Sequence, residues 1–302
     1  MIASLLDPTS PRLRRARTSA IALATAGHSK WADEGRSVQP NRKINMTPTK
    51  RNFIILMTII FGFSLAFWLR QLYQPQYQEI PNTIIVGTSA DYPPFAFKKD
   101  NQIVGFDIDV VTETVKRLGK QVAIKDTPFE LLIPQATLGT THVIAANMAI
   151  TPEREKLALF TKPYITNSPL VVLTLAKNPK INSLTNLNDK RVAVNEGYTA
   201  DAYMSALPHI AVDRVPTIAD ALVALRAGNV DAFVTGAQTI APIFEEFGKD
   251  NFNVYVINDV NENVALAISK MYPKLATVID DILDQMRNDG TLDQLKQKWH
   301  VQ

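Results

Sequence analysis

TIIVGTSADYPPFAFKKDNQIVGFDIDVVTETVKRL, residues 83–118, contains the first strand–helix unit of the chain and decides how the rest is read. Thr83–Val86 is a β-branched run that ends at Gly87, which predicts a strand, and Ile103–Phe106 predicts another. At Asp107 the apolar period changes. Ile108, Val111, Val115 and Leu118 fall on one face of a helix that Gly119 stops, with Asp107 placed to cap it after a tight turn at Gly105. Between strand and helix lies Tyr92-Pro93-Pro94-Phe95. Two prolines stiffen this backbone, so the Tyr92 ring is presented at the carboxyl end of the sheet, where α/β proteins bind ligands. Phe95 reads equally as a core aromatic.

Downstream the alternation continues. Val122–Lys125 predicts a strand, Phe129–Leu138 a helix closed by Gly139, and His142–Ala145 a strand. A second run begins near Ala176, with a short helix at Leu184–Asn188, a strand at Arg191–Val194 and a helix at Thr199–Leu207. It continues through the helix Ile218–Ala227, the strand Val230–Thr235 and the helix Ala237–Phe247. The chain then returns to a strand at Val264–Ser269 and ends in helices at Lys274–Asn288 and Thr291–Trp299. This pattern predicts an α/β fold with largely parallel sheets. Residues 83–172 and 262–302 are expected to build one lobe and 173–261 a second. Crossings near Leu170–Leu175 and Tyr255–Asn261 would form a hinge.

Upstream the character changes. Phe53 to Leu69, FIILMTIIFGFSLAFWL, is seventeen residues without a charge, flanked by Lys50, Arg51 and Arg70. It lacks the polar face of a core helix, so residues 53–70 are predicted to be a transmembrane signal anchor. No small-x-small pattern follows, so the anchor is expected to stay uncleaved, with Trp68 and Tyr73 at the outer interface. The basic residues before it put the N-terminus in the cytoplasm. Residues 1–52 carry ten Lys/Arg against three Asp/Glu, a net of +7, and read as a disordered basic segment; Met46 is an alternative start. Residues 71–82, QLYQPQYQEIPN, read as a linker.

The whole-chain composition closes off several classes. Of 302 residues, 46% are hydrophobic and 20% charged, which is globular and long enough for a sizeable core. There is no cysteine, hence no disulfide, thiolate metal site or Cys nucleophile. The histidines, His28, His142, His209 and His300, are too scattered for a zinc site, and neither metal nor cofactor is expected. The net charge of +3 comes from residues 1–52, the remainder carrying −4, so nucleic acid is not an expected partner.

Seven segments occur together: GTSADYPPFAF (87–97), GFDID (105–109), MAITPER (148–154), FTKPY (160–164), NEGYTAD (195–201), NVDAF (229–233) and NDGTLDQLKQKW (288–299). In this order and spacing, residues 83–302 resemble an extracytoplasmic solute-binding protein of the polar amino-acid class (solute-binding protein family 3), the family that feeds ABC importers. The resemblance implies a two-lobe, periplasmic-binding-protein-like (type II) fold that closes on its ligand. It implies that Tyr92 stacks on the ligand, that Phe129 supplies the opposite wall, and that Arg154 clamps the ligand α-carboxylate. Thr151-Pro152-Glu153-Arg154 independently reads as a capped helix start, with a guanidinium one turn in that suits a carboxylate. Thr199, after Gly197, would add a hydroxyl and backbone N–H groups; Asn147 would offer a carbonyl, and Ser89 and Thr235 complete the expected ligand-binding set.

The sequence departs from the family where the α-ammonium is held. Ala149 stands in place of a Ser/Thr hydroxyl and Gly236 in place of an acid, and His142 replaces an Asp taken as structural. A buried ammonium without a counter-charge is costly. Glu130, Glu196 or Asp91 could compensate, the ligand could lack an α-amino group, or the domain could have drifted from tight binding. Ser89 occupies a position where Asp often serves polar or cationic side chains, which disfavours a strongly cationic ligand. The expected function is binding of an amino acid or related small carboxylate, without chemistry, for delivery to an ABC permease. The expected setting is the bacterial inner membrane, with a monomeric binding domain facing the periplasm. The alternatives are a sensor or scaffold module, or a carboxylate lyase or dehydratase using Glu196 or Glu130.

Overall fold

The computed structural model describes residues 47–72 and 77–301. The readings of residues 1–46 and of Tyr73 lie outside them. The chain divides into two units, up to Gln74 and from Pro75. In the first, helix α1 spans Pro48–Leu72. Its apolar side chains from Phe53 to Trp68 are exposed, and the stretch Pro48–Trp68 is long and apolar enough to cross a bilayer.

The second unit has two five-stranded sheets. The first contains β1 (Thr83–Thr88), then, past the hairpin strands β2 (Asp91–Tyr92), β3 (Ala96–Lys99) and β4 (Gln102–Val104) and helix α2 (Phe106–Arg117), β5 (Gln121–Asp126). After α3 (Phe129–Thr137) come β6 (Val143–Ile144), α4 (Pro152–Glu155) and β7 (Ala158–Phe160). The second sheet is built from β8 (Ile165–Leu175), β9 (Arg191–Asn195), α5 (Thr199–Ser205), β10 (Ala211–Val215), α6 (Ile218–Ala227), β11 (Ala232–Gly236), α7 (Ile240–Phe247) and β12 (Phe252–Val264). The chain then returns to the first sheet as β13 (Ala267–Ser269) and closes with α8 (Pro273–Asn288) and α9 (Thr291–Trp299).

The sheet orders are β5-β1-β6-β13-β7 and β10-β9-β11-β8-β12. Each is largely parallel, four of its five strands running one way. One strand in each, β13 in the first sheet and β8 in the second, runs antiparallel to both of its neighbours. The predicted helices recur within a few residues of their expected ends, except that Leu184–Leu187 is 3-10 helix and Ala237–Phe247 splits into a 3-10 turn and α7.

Alternation within the second sheet divides its two faces. Leu170, Val172, Val192, Val194, Ala232 and Val234 pack against Leu187 and Met204. Leu173, Ala193 and Phe233 face the other way, in one cluster with Leu222 and Leu225. In the first lobe Ile84, Val86, Val110, Val143, Ile268 and Ile279 are fully buried.

The start of α2 corrects an expectation. Asp107 does not cap it. The free N–H groups of Phe106 and Asp107 donate instead to the carbonyls of Pro94 (2.9 Å) and Phe95 (3.0 Å), so the Tyr-Pro-Pro-Phe turn itself caps the helix. Gly105 makes this approach possible, with φ of 140°. The Asp107 carboxylate, wholly buried, accepts from the Asn147 N–H and the Tyr164 hydroxyl. It ties α2 to the loop that carries Asn147 and Ala149.

Candidate functional site

Arg154 comes from the short helix α4, which starts as its sequence predicts: the Thr151 side chain accepts from the Arg154 N–H, with Pro152 at the first position. The guanidinium does not form a surface pair with Glu155 or Asp109; Asp109 is taken by Lys298 (2.7 Å) and by the Trp299 indole N–H (2.6 Å). Arg154 turns inward, donating from Nη1 to the Ala149 carbonyl (2.7 Å) and from Nη2 to the Gly197 carbonyl (3.1 Å). It thereby joins the first lobe to the turn after β9. Its charge also lies 5.3 Å from the centre of the Phe129 ring. Two of five N–H donors are spent on carbonyls, leaving three for an anion.

Tyr92 is 3% exposed, and its hydroxyl reaches the second lobe, 3.1 Å from Thr235 Oγ1 and accepting from the Gly236 N–H at 3.3 Å. Thr235 is thus bound to Tyr92 and lies near Thr239 Oγ1 (3.3 Å). Ser89 donates to Asp91 at 2.6 Å. Asn147 takes a positive φ of 48°, and its buried Oδ1 has no hydrogen-bond partner. The buried Thr199 hydroxyl likewise lacks a well-formed bond. Four of the five such orphan atoms among the described residues belong to Asn147, Asn195, Tyr198 and Thr199, at the two edges that meet here. Buried polar atoms left open are costly unless something completes them.

Tyr92 and Phe129 do not face each other across an open slot. The ring of Tyr198, from the turn before α5, lies between them. It stacks on Phe129 with centroids 3.7 Å apart and on Tyr92 at 5.0 Å. Tyr198 carries no signal in the sequence, since a lone aromatic after Gly197 reads as an ordinary loop residue.

The acids proposed to replace the missing one at position 236 are elsewhere. Asp91, Glu130 and Glu196 line a pocket of about 390 Å³ with Ser89, Lys98 and Thr217. Burial raises the Asp91 carboxyl, with Asp126 and Glu130 adding repulsion. At Gly236 itself, another acid is in place. A Cβ built there would lie 3.1 Å from Glu262 Oε2 and 3.1 Å from the Tyr92 hydroxyl. Glu262 is 8% exposed, and burial pushes its carboxyl up to about 7, with Thr199 and the Arg154 charge opposing the rise. β12 delivers it. Its end runs beside the Ala149 segment, with the Ile150 N–H on Asn263 O (2.8 Å), the Ala265 N–H on Met148 O (3.1 Å), and Ala149 bridged to Val264.

His142 has a structural role at the start of β6: its Nδ1 accepts from the Ile85 N–H at 3.0 Å, and burial lowers its pKa, favouring the neutral ring this bond requires. Among the described residues no cluster of His, Asp and Glu could hold a metal ion.

Residues 84–302 match the model of the bacterial extracellular solute-binding proteins, family 3. The chain is 29% identical over 255 residues to the putative ABC transporter arginine-binding protein 2 of Escherichia coli K12, covering 82% of this chain and 98% of the relative. Among solved structures it is similar to an ancestral arginine-binding protein bound to arginine (TM-score 0.68, 31% identity, 73% of this chain and 99% of that one). It is also similar to the ancestral amino acid-binding protein AncCDT-1, a precursor of cyclohexadienyl dehydratase (TM-score 0.66, 35% identity, 72% and 95%).

Proposed function

We propose, from the premise that this chain belongs to the bacterial extracellular solute-binding proteins of family 3, that it binds an α-amino acid and hands it to an ABC importer without chemical change. The observation that carries the amino-acid reading is Glu262. An anion held by Arg154 and a cation held by Glu262 are the two ends of a zwitterion, and both groups reach the same junction between the lobes. The departure at Gly236 is then a relocation of the carboxylate from a strand end to the crossing strand β12. Asn147 Oδ1 supplies a neutral partner.

The ligand would be gripped by both lobes, 83–172 with 262–302 and 173–261, so that binding biases a hinge towards closure. Residues 53–70 serve as the anchor and 71–82 as the tether. The binding unit works as a monomer on the outer face of the cytoplasmic membrane, beside its permease.

The test is calorimetry on the full chain in detergent micelles, with the amino acids and their deaminated carboxylates. An amino acid should bind, and its deaminated partner should bind at least tenfold more weakly. Equal affinity for the two, or binding only of the deaminated acids, would overturn the ammonium site. Affinity should also fall with pH. The charged or titratable groups facing Glu262 are Arg154 and Tyr92. With the empty carboxyl at about 7, an ammonium must displace its proton at lower pH, so affinity should drop roughly fivefold to tenfold between pH 7.5 and 6.

Glu262→Gln should erase both the pH effect and the preference for the amino group. The same variant should stabilise the empty protein. A carboxyl whose folded pKa lies above its unfolded value gives stability that is present below the unfolded pKa and lost as pH rises through 7. At pH 8 the ionised group costs up to about 3 kcal/mol, so the glutamine variant should melt several degrees higher there and show little gain at pH 5.

One observation favours a second reading. An acid of pKa about 7 in a cleft also suits proton transfer. Turnover of a carboxylate substrate that Glu262→Gln abolishes would establish it in place of binding alone.

A further inference from the structure

We infer that Tyr198 sets the side-chain specificity of the site: its ring fills the slot between Tyr92 and Phe129 and admits only ligands with short side chains. This rests on the amino-acid reading above. The two anchors bracket the slot. Arg154 lies over the Phe129 ring, at 5.3 Å. Glu262 and the Tyr92 hydroxyl both approach the space at Gly236, each 3.1 Å from a Cβ placed there. A ligand spanning Arg154 and Glu262 therefore sits alongside both aromatic rings, and its side chain has these faces as its neighbours.

Tyr198 already occupies them. Its contact with Phe129, at 3.7 Å and 20° between planes, is van der Waals contact of two flat faces. Its contact with Tyr92, at 5.0 Å and 17°, is also too close for another layer. Inserting a planar group between two rings needs two gaps of roughly 3.5–4.0 Å each. The ring is 8% exposed, so nothing else reaches the slot without moving it.

Stacking, rather than the hydroxyl, holds the ring. The Tyr198 hydroxyl faces Ser89 and Asp91 but makes no well-formed hydrogen bond. Ser89 has already given its proton to Asp91, at 2.6 Å. The neighbouring backbone leaves little slack: Gly197 has φ of 77°, and a Cβ there would meet the Glu130 Cβ at 3.2 Å. The ring is thus delivered by a turn packed directly on the start of α3.

The experiment measures affinities of the full chain in micelles for glycine, alanine and serine against arginine, histidine and phenylalanine. It compares the wild type, Tyr198→Phe and Tyr198→Thr. The wild type should prefer the short side chains, Tyr198→Phe should keep that ranking, and Tyr198→Thr should improve the long side chains at least tenfold relative to alanine. The inference is overturned if the wild type binds the long side chains as tightly as the short ones, since Tyr198 then moves aside. It is overturned equally if Tyr198→Thr leaves the ranking unchanged. The wild-type ranking decides the matter should the threonine variant fail to fold. Binding of no amino acid by any of the three proteins would take the amino-acid reading down too, whereas binding with an unaltered ranking takes down the specificity claim alone.

Discussion

Arg154→Ala is expected to weaken ligand binding by two to three orders of magnitude, and Arg154→Lys by nearly as much. Truncating one member of a buried, hydrogen-bonded charge pair costs about 2–5 kcal/mol, because the remaining charge is left unpaired. Here the loss is compounded. The guanidinium is held in position by the Ala149 and Gly197 carbonyls, so its remaining donors are fixed before ligand arrives. Lysine offers a point charge and cannot span two carbonyls while presenting a parallel pair of N–H groups. Calorimetry with the best ligand of the wild type is the measurement. An affinity within threefold of wild type in Arg154→Ala would remove Arg154 from the carboxylate site. The alanine variant also deletes a link between the lobes, so its melting temperature without ligand should be recorded alongside.

Gly105→Ala is expected to destabilise the binding unit by more than about 4 kcal/mol, which is enough to leave it largely unfolded at 37 °C. The added Cβ would lie 2.1 Å from the Phe95 carbonyl oxygen and 2.9 Å from the Ala96 nitrogen. Both are backbone atoms, so no side-chain rotation relieves the clash. The φ of 140° adds strain for any residue with a Cβ. Any shift that relieved the overlap would pull the Pro94 and Phe95 carbonyls off the start of α2 and disturb Tyr92 in the same turn. Chemical denaturation of Gly105→Ala beside Gly228→Ala makes the comparison sharp. Gly228 also has positive φ, 77°, but a Cβ there meets nothing within 4 Å, so that variant should lose only about 1–2 kcal/mol. Equal losses in the two would show that close approach is not what Gly105 provides.

The alternating strands and helices were legible because their apolar periods are clear and several helices carry a glycine stop, as in Asp107–Leu118 before Gly119. Arg154 was legible because Thr-Pro-Glu-Arg encodes its own capped turn. Glu262 was not. It lies in NDVNENV, a polar run that reads as a loop yet forms the end of a thirteen-residue strand. Its inward orientation comes from register shifts on both sides, between Ile257 and Asn261 and between Glu262 and Val264. A bulge turns a side chain to the other face without any mark in the apolar pattern. Tyr198 was hidden for a different reason. Its place is fixed by contact between two lobes, whose partners on the other side lie far away in sequence. The strand orders follow from the same long-range logic, since β7, β8 and β12 pair with strands that no local signal identifies.

The order of strands also governs when this protein can finish folding. In the first sheet, β13 lies between β6 and β7. Val143, Ile144 and Leu159 therefore wait for Ala267 and Ile268, with the whole second sheet synthesised in between. A growing chain can complete the inserted lobe while the lobe that surrounds it still has an open seam. Closing that seam requires bringing together segments separated by a long loop, whose entropy must be overcome before the pairing is rewarded. The segment from β13 onward thus acts as the fastener of the first lobe, and a chain truncated before β13 would leave the edges of β6 and β7 free to pair with other chains.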